Sequence, residues 1–208
     1  MKPLRNHNVT KAFKGFRPSF ILIIAFLLFS CKSIPEKEPV KISRNLLAQG
    51  QLSAEQLADF FWNNNQDIEY EQLYEFAGIY IEEASAEGIN SDFAWAQMCL
   101  ETGFLRFGGL VQPEWHNYCG LGAISAEQPG CQFETPQLGV RAHIQHIQAY
   151  ATTEDIQLNN ELVDPRYSWV HKTKYAQTIQ ELAASWATDP AYAQKLEDLL
   201  TRMEISVN

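Results

Sequence analysis

The chain has 208 residues, and its 16 Lys and Arg against 25 Asp and Glu give a formal charge of −9. An acidic surface repels phosphate backbones, which argues against nucleic acid as a partner. The length is ample for one domain with a single core.

The chain opens with Lys2, Arg5, Lys11, Lys14 and Arg17 and no acidic residue, followed by an unbroken apolar run of ten over residues 20–29. Such a run is short for a hydrocarbon layer of about 30 Å and matches the h-region of a signal peptide. Leu28-Phe29-Ser30-Cys31 then resembles the bacterial lipobox, with Phe29 bulkier than is usual at its place. The resemblance implies a signal peptide over 1–30 and a lipidated Cys31 that holds the protein at a membrane face of the bacterial cell envelope, periplasmic or outer. An ordinary signal peptide or an uncleaved anchor is the competing reading. Removing 1–30 takes five basic residues and no acidic one, leaving 11 against 25, a formal charge of −14. Residues 31–50 are charged, carry two prolines and show no periodicity, so they are expected to be a flexible tether.

From Ser53 the pattern is helical. Ser53-Ala-Glu-Gln56 is a capping box, with Leu57, Phe60 and Phe61 behind it at helical spacing. A second helix is expected over 69–87, ended by Gly88. A third starts near Ser91 or Asp92 and runs to Gly103; being apolar nearly all round, it should lie buried in the middle of the domain. Residues 104–134 hold five glycines and are expected to be irregular, with room for one short hairpin. Thr135-Pro136 opens a helix to Ala151 as N-cap and N1 proline. A polar connection over 152–172, a helix over 173–187 and a last helix opened by Asp189-Pro190 complete the chain. The expected class is mainly α, with about six helices in one domain over 51–208.

Cys99 lies in an apolar run and reads as a buried small hydrophobe. Cys119 and Cys131 flank a loop in an exported chain and are expected to pair as a disulfide. His116, His143, His146 and His171 are available to a metal, but no C-x-x-C or H-E-x-x-H spacing occurs, so neither metal nor other cofactor is expected.

Glu101 stands at the C-terminal end of the helix that is apolar on all sides. Burial and the negative end of the helix dipole both disfavour its carboxylate, which suits a group that must hold a proton near neutral pH and then release it. The competing reading is a glutamate that simply emerges into solvent beside Thr102-Gly103.

Ala94-Trp-Ala-Gln-Met-Cys-Leu-Glu101-Thr-Gly103, Asn117-Tyr-Cys-Gly120-Leu-Gly122, the segment from Gly139 to Ala151, and Trp186-Ala-Thr-Asp189-Pro-Ala-Tyr192-Ala193 occur in this order. Together, over residues 55–203, they resemble the peptidoglycan glucosaminidases of glycoside hydrolase family 73. The resemblance implies a lysozyme-like helical domain with a glycan groove, acting as a monomer on the peptidoglycan strand. It implies Glu101 as general acid for cleavage of the β-1,4 bond after N-acetylglucosamine, and Asn117, Tyr118, Gly120, Trp186 and Tyr192 as substrate-binding positions. Trp186 stands where many relatives have tyrosine. A second carboxylate present in many relatives has no clear counterpart among Glu114, Glu127 and Glu134. Muramidases and lytic transglycosylases share this architecture, and a wall-binding lipoprotein without turnover would keep the groove. Trp115, Trp169, Arg141, His143, His146 and His171 read as packing or polar-contact residues. Arg166 reads as a loop-fixing ion pair or as a contact to a sugar or stem-peptide carboxylate.

Overall fold

The computed structural model describes residues 39–208. The expectations for residues 1–30, for Cys31 and for the first part of the tether lie outside the described residues.

Among the described residues the fold is mainly helical: α1 (Ala54–Trp62), α2 (Tyr70–Glu87), α3 (Ser91–Thr102), α4 (Pro136–Ala151), α5 (Tyr167–Thr173), α6 (Ile179–Trp186) and α7 (Tyr192–Val207). No strand exceeds an isolated bridge, and the hairpin expected in the loop after α3 shrinks to one bridge between Ser125 and Gln128. The helix starts follow their caps. Ser53 and Thr178 each form a reciprocal capping box, and the Thr135 hydroxyl accepts from the Leu138 backbone N–H ahead of Pro136. Gly88 and Gly103 end α2 and α3 in the left-handed conformation.

α3 is the hub and packs against α1, α2, α4 and α7. Phe93, Ala94, Trp95, Ala96, Met98 and Cys99 are all fully buried, because a helix apolar on every side must be surrounded to hide its surface. Trp95 meets Phe61, Phe76 and Tyr80 at ring separations of 5.4–5.9 Å, binding α1, α2 and α3 into one aromatic cluster.

Residues 39–50 correct the tether expectation, because they form a strap across the domain. Ile42 and Leu46 are buried at 2% and 0% exposure. Single backbone bridges pair Asn45 with Thr178 and Leu47 with Ile89. Arg44 ion-pairs with Glu197 and Glu204 of α7, each at 2.6 Å. The buried Asp92 carboxylate accepts the Gln51 and Leu52 backbone N–H groups at 2.7 and 3.2 Å. A strap held by isolated bridges needs neither a 2-residue nor a 3.6-residue period, which is why periodicity does not reveal it.

Three boundaries also differ from expectation. The connection over 152–172 contains the start of α5, a helix without a capping side chain. α6 begins six residues later than expected, at its capping box, and α7 begins after an Asp189 turn in which the carboxylate accepts the Ala191 backbone N–H at 2.8 Å.

Candidate functional site

The loop joining α3 to α4 lies on the bundle near the end of α3. It rests on Gly139 of α4, where any Cβ would come within 1.8 Å of the His116 carbonyl oxygen. Glycine at that position lets the loop backbone rest directly on the helix.

Asn117 holds the loop in shape. Its side-chain amide donates to the carbonyls of Leu121 and Cys131, both at 3.0 Å, and its carbonyl accepts from Leu121 N at 2.8 Å. At 1% exposure, with these atoms committed, Asn117 is a clamp instead of the sugar contact expected. The expected bridge between Cys119 and Cys131 is also corrected: both are free thiols, packed in a small apolar cluster with Leu121 and Ala142. The Asn117 clamp closes the loop without a covalent bond. Tyr118 turns into the core, 6% exposed, with its ring 4.8 Å from Phe76 and its hydroxyl 3.3 Å from His116 Nδ1.

Glu101, Trp186 and Tyr192 do come together. One carboxylate oxygen of Glu101, Oε1, accepts from the Trp186 indole N–H at 2.9 Å and from the Tyr192 hydroxyl. Among the described residues Oε2 has no hydrogen-bond partner. The residue as a whole is exposed to solvent, while its carboxyl group sits partly among protein atoms. Desolvation raises its pKa above the ordinary glutamate value, and the Tyr192 and Trp186 hydrogen bonds offset part of that rise. Oε1 already accepts two donors, so the proton of the neutral acid belongs on Oε2.

Behind Tyr192 runs a buried polar chain that sequence reading missed. Gln97 Nε2 donates to the Tyr192 hydroxyl at 2.9 Å. Gln97 Oε1 faces His143 Nε2 at 3.1 Å, and His143 Nδ1 faces the Tyr80 hydroxyl at 3.0 Å. Gln97, His143 and Tyr80 are fully buried. Burial, reinforced by the nearby His146, lowers the His143 pKa to about 3, so the ring is neutral and has one N–H. One direction satisfies every group: Tyr80 O–H to Nδ1, Nε2–H to Gln97 Oε1, the Gln97 amide to the Tyr192 oxygen, and Tyr192 O–H to Glu101. The single signal in the sequence is that Gln97 and Glu101 lie four residues apart on α3, and so on one face.

His143→Leu leaves Gln97 Oε1 and the Tyr80 hydroxyl buried without partners. The expected cost is about 2–4 kcal/mol of stability, read from denaturant unfolding. An unchanged midpoint would mean that the chain does not hold together as described.

Trp186 is steadied from the other side by His146 and Tyr150, with ring centroids 5.2 and 5.6 Å away. His146 is itself fixed by Asp164, Nδ1 to Oδ2 at 2.8 Å. Arg141 forks onto the buried Glu83 at 2.9 and 3.0 Å, and His171 stacks on Tyr167. The ion pair expected for Arg166 does not form with Asp164; only the Arg166 backbone N–H donates to that carboxylate, at 2.8 Å. Glu114, Glu127 and Glu134 are exposed, and Glu127 is bonded to Ser125 within its own turn at 2.8 Å.

The fold and the site define a mainly helical domain built around one carboxyl group that is desolvated, held at one oxygen and open at the other. The chain belongs to the mannosyl-glycoprotein endo-beta-N-acetylglucosaminidase family, whose model matches residues 77–205 and so spans α3, the loop, the Glu101 site and most of α7. It is 38% identical over 158 residues to an uncharacterized protein of Borreliella burgdorferi, an alignment covering 76% of each chain. No solved structure matches.

Proposed function

We propose that this protein hydrolyses the β-1,4 bond after N-acetylglucosamine in peptidoglycan, with Glu101 as the general acid. The observation that carries the reading is the Glu101 carboxyl, desolvated, with Oε1 held by Trp186 and Tyr192 and Oε2 open. Oε2 gives its proton to the glycosidic oxygen as the C1–O bond breaks. The negative charge left on Glu101 is met by the two donors already aimed at Oε1, with no reorganisation required at that moment.

Tyr192 and Trp186 thus serve the acid itself. In this proposal the 2-acetamido oxygen of the substrate serves as nucleophile, closing a ring on C1 as the leaving oxygen takes the Glu101 proton. Water then opens that ring, and Glu101 recovers its proton from the water.

The test is the identity of the new chain end. Purified peptidoglycan digested by the full chain, reduced with borohydride and read by mass spectrometry should show reduced N-acetylglucosamine ends. Reduced muramic ends would move the cut to the neighbouring bond, and anhydro-muramic ends would make the reaction a transglycosylation.

In this proposal Cys31 carries lipid and holds the domain as a monomer against a membrane face of the cell envelope, within reach of the wall. Cys31→Ser is expected to release the protein from the membrane fraction, and unchanged fractionation would show that another anchor holds it.

A further inference from the structure

The loop, α4, α5 and α6 enclose a second feature beside Glu101. It is a cavity of about 220 Å³ whose lining includes Gly120, His146, Tyr150, Arg166, Lys174 and Trp186. Trp186 belongs to both places: it lines this cavity while its indole N–H reaches Glu101 at 2.9 Å. A glycan held at Glu101 therefore brings its adjoining substituents to the cavity mouth.

Its charge runs against that of the molecule. Acidic residues outnumber basic ones 25 to 16 along the chain, yet no Asp or Glu lines this cavity and two cations do. Arg166 and Lys174 are both half-buried, and among the described residues neither forms an ion pair with a carboxylate. The nearby Asp164 is already engaged by His146 and by the Arg166 backbone N–H. Both cations lie over the ring of Trp169, the guanidinium at 5.2 Å and the ammonium at 5.7 Å from its centroid, and that tryptophan is itself 52% exposed. Two like charges gathered on one indole repel each other, and an anion between them would turn the repulsion into attraction.

We infer that Arg166, Lys174 and Trp169 form a subsite for a carboxylate carried on the glycan next to the bond being cut. The inference rests on the proposed glycan-cleaving role of Glu101. The arginine fork suits a carboxylate held through two parallel hydrogen bonds, and the lysine supplies a second charge. In peptidoglycan such a carboxylate has two sources, the stem peptide or, where the peptide has been removed, the lactyl group of muramic acid. A neutral polymer of N-acetylglucosamine has neither. The subsite thus distinguishes the wall polymer from an uncharged glycan of similar backbone.

The test is equilibrium binding by the full chain carrying Glu101→Gln, so that nothing is turned over, with and without Arg166→Gln and Lys174→Gln. Three soluble oligosaccharides are compared: one bearing stem peptides, one stripped to the free lactyl carboxylate, and a neutral N-acetylglucosamine oligomer. The two added substitutions are expected to weaken the carboxylate-bearing ligands by about tenfold or more and the neutral one by less than about twofold. Retained binding of the neutral oligomer shows that the variant is folded. A loss confined to the first ligand identifies the stem peptide, and a loss that persists on the second identifies the lactyl group. Equal weakening of all three, or of none, overturns the subsite while leaving the glycan groove intact. Failure of the Glu101→Gln protein with both cations in place to bind any of the three would overturn the proposed function, and this inference with it.

Discussion

Glu101→Gln is expected to lower hydrolysis of purified peptidoglycan by about a thousandfold or more, within the range that general acid catalysis supplies. Glutamine keeps an oxygen for Trp186 and Tyr192 and places an amide where Oε2 stood, so the site survives without a proton to give. The same change should raise thermal stability at neutral pH. The folded-state pKa of Glu101 lies above its unfolded value, so above the ordinary glutamate pKa the native state binds the extra proton and stability falls as pH rises. At neutral pH the unfolded chain gains more from ionising this carboxyl than the folded chain does, and glutamine removes that bias. A variant that loses activity and melts at higher temperature therefore separates catalysis from folding. Retained activity would remove Glu101 from the reaction.

The second large effect is expected at Tyr192. Its hydroxyl donates to Glu101, receives from Gln97, and is buried with a pKa well above the ordinary tyrosine value. Tyr192→Phe takes one donor from Oε1 and leaves the Gln97 amide without its acceptor. Turnover should fall by about a hundredfold, as for loss of one donor aimed at developing charge. The pH profile should shift as well. The Tyr192 hydrogen bond lowers the Glu101 pKa, so its loss raises that pKa. Activity requires protonated Glu101, and the alkaline limb therefore moves to higher pH. A fall in rate with no movement of that limb would mean that Tyr192 acts on the substrate alone.

Much of this arrangement was legible in the sequence because local chemistry dictated it. The apolar circumference of α3, the capping boxes and the glycine stops at Gly88 and Gly103 each act within a few residues, and each element they mark is present. The position of Glu101 at the open end of the buried helix followed from the same pattern. What could not be read depends on partners distant in sequence. The strap over 39–50 is buried by α3, α6 and α7, and its own residues show no period. His143 meets Gln97 from 46 residues away and Tyr80 from 63, so no spacing rule joins them. Asn117 has the residue type of a sugar contact, and only the three-dimensional loop shows its hydrogen bonds already spent. The sequence reads Arg166 as a loop-fixing ion pair, but His146 occupies the neighbouring Asp164 carboxylate and the guanidinium lies over Trp169.

The most direct test of the account is a titration of the Glu101 carboxyl by carbon-13 NMR in protein labelled at glutamate side chains, with Glu101→Gln to assign the resonance. The account predicts one carboxyl that titrates above the ordinary glutamate range, is absent from Glu101→Gln, and moves higher still in Tyr192→Phe. A Glu101 resonance titrating at or below the ordinary value would contradict it, because such a group would be ionised at neutral pH and would have no proton to give.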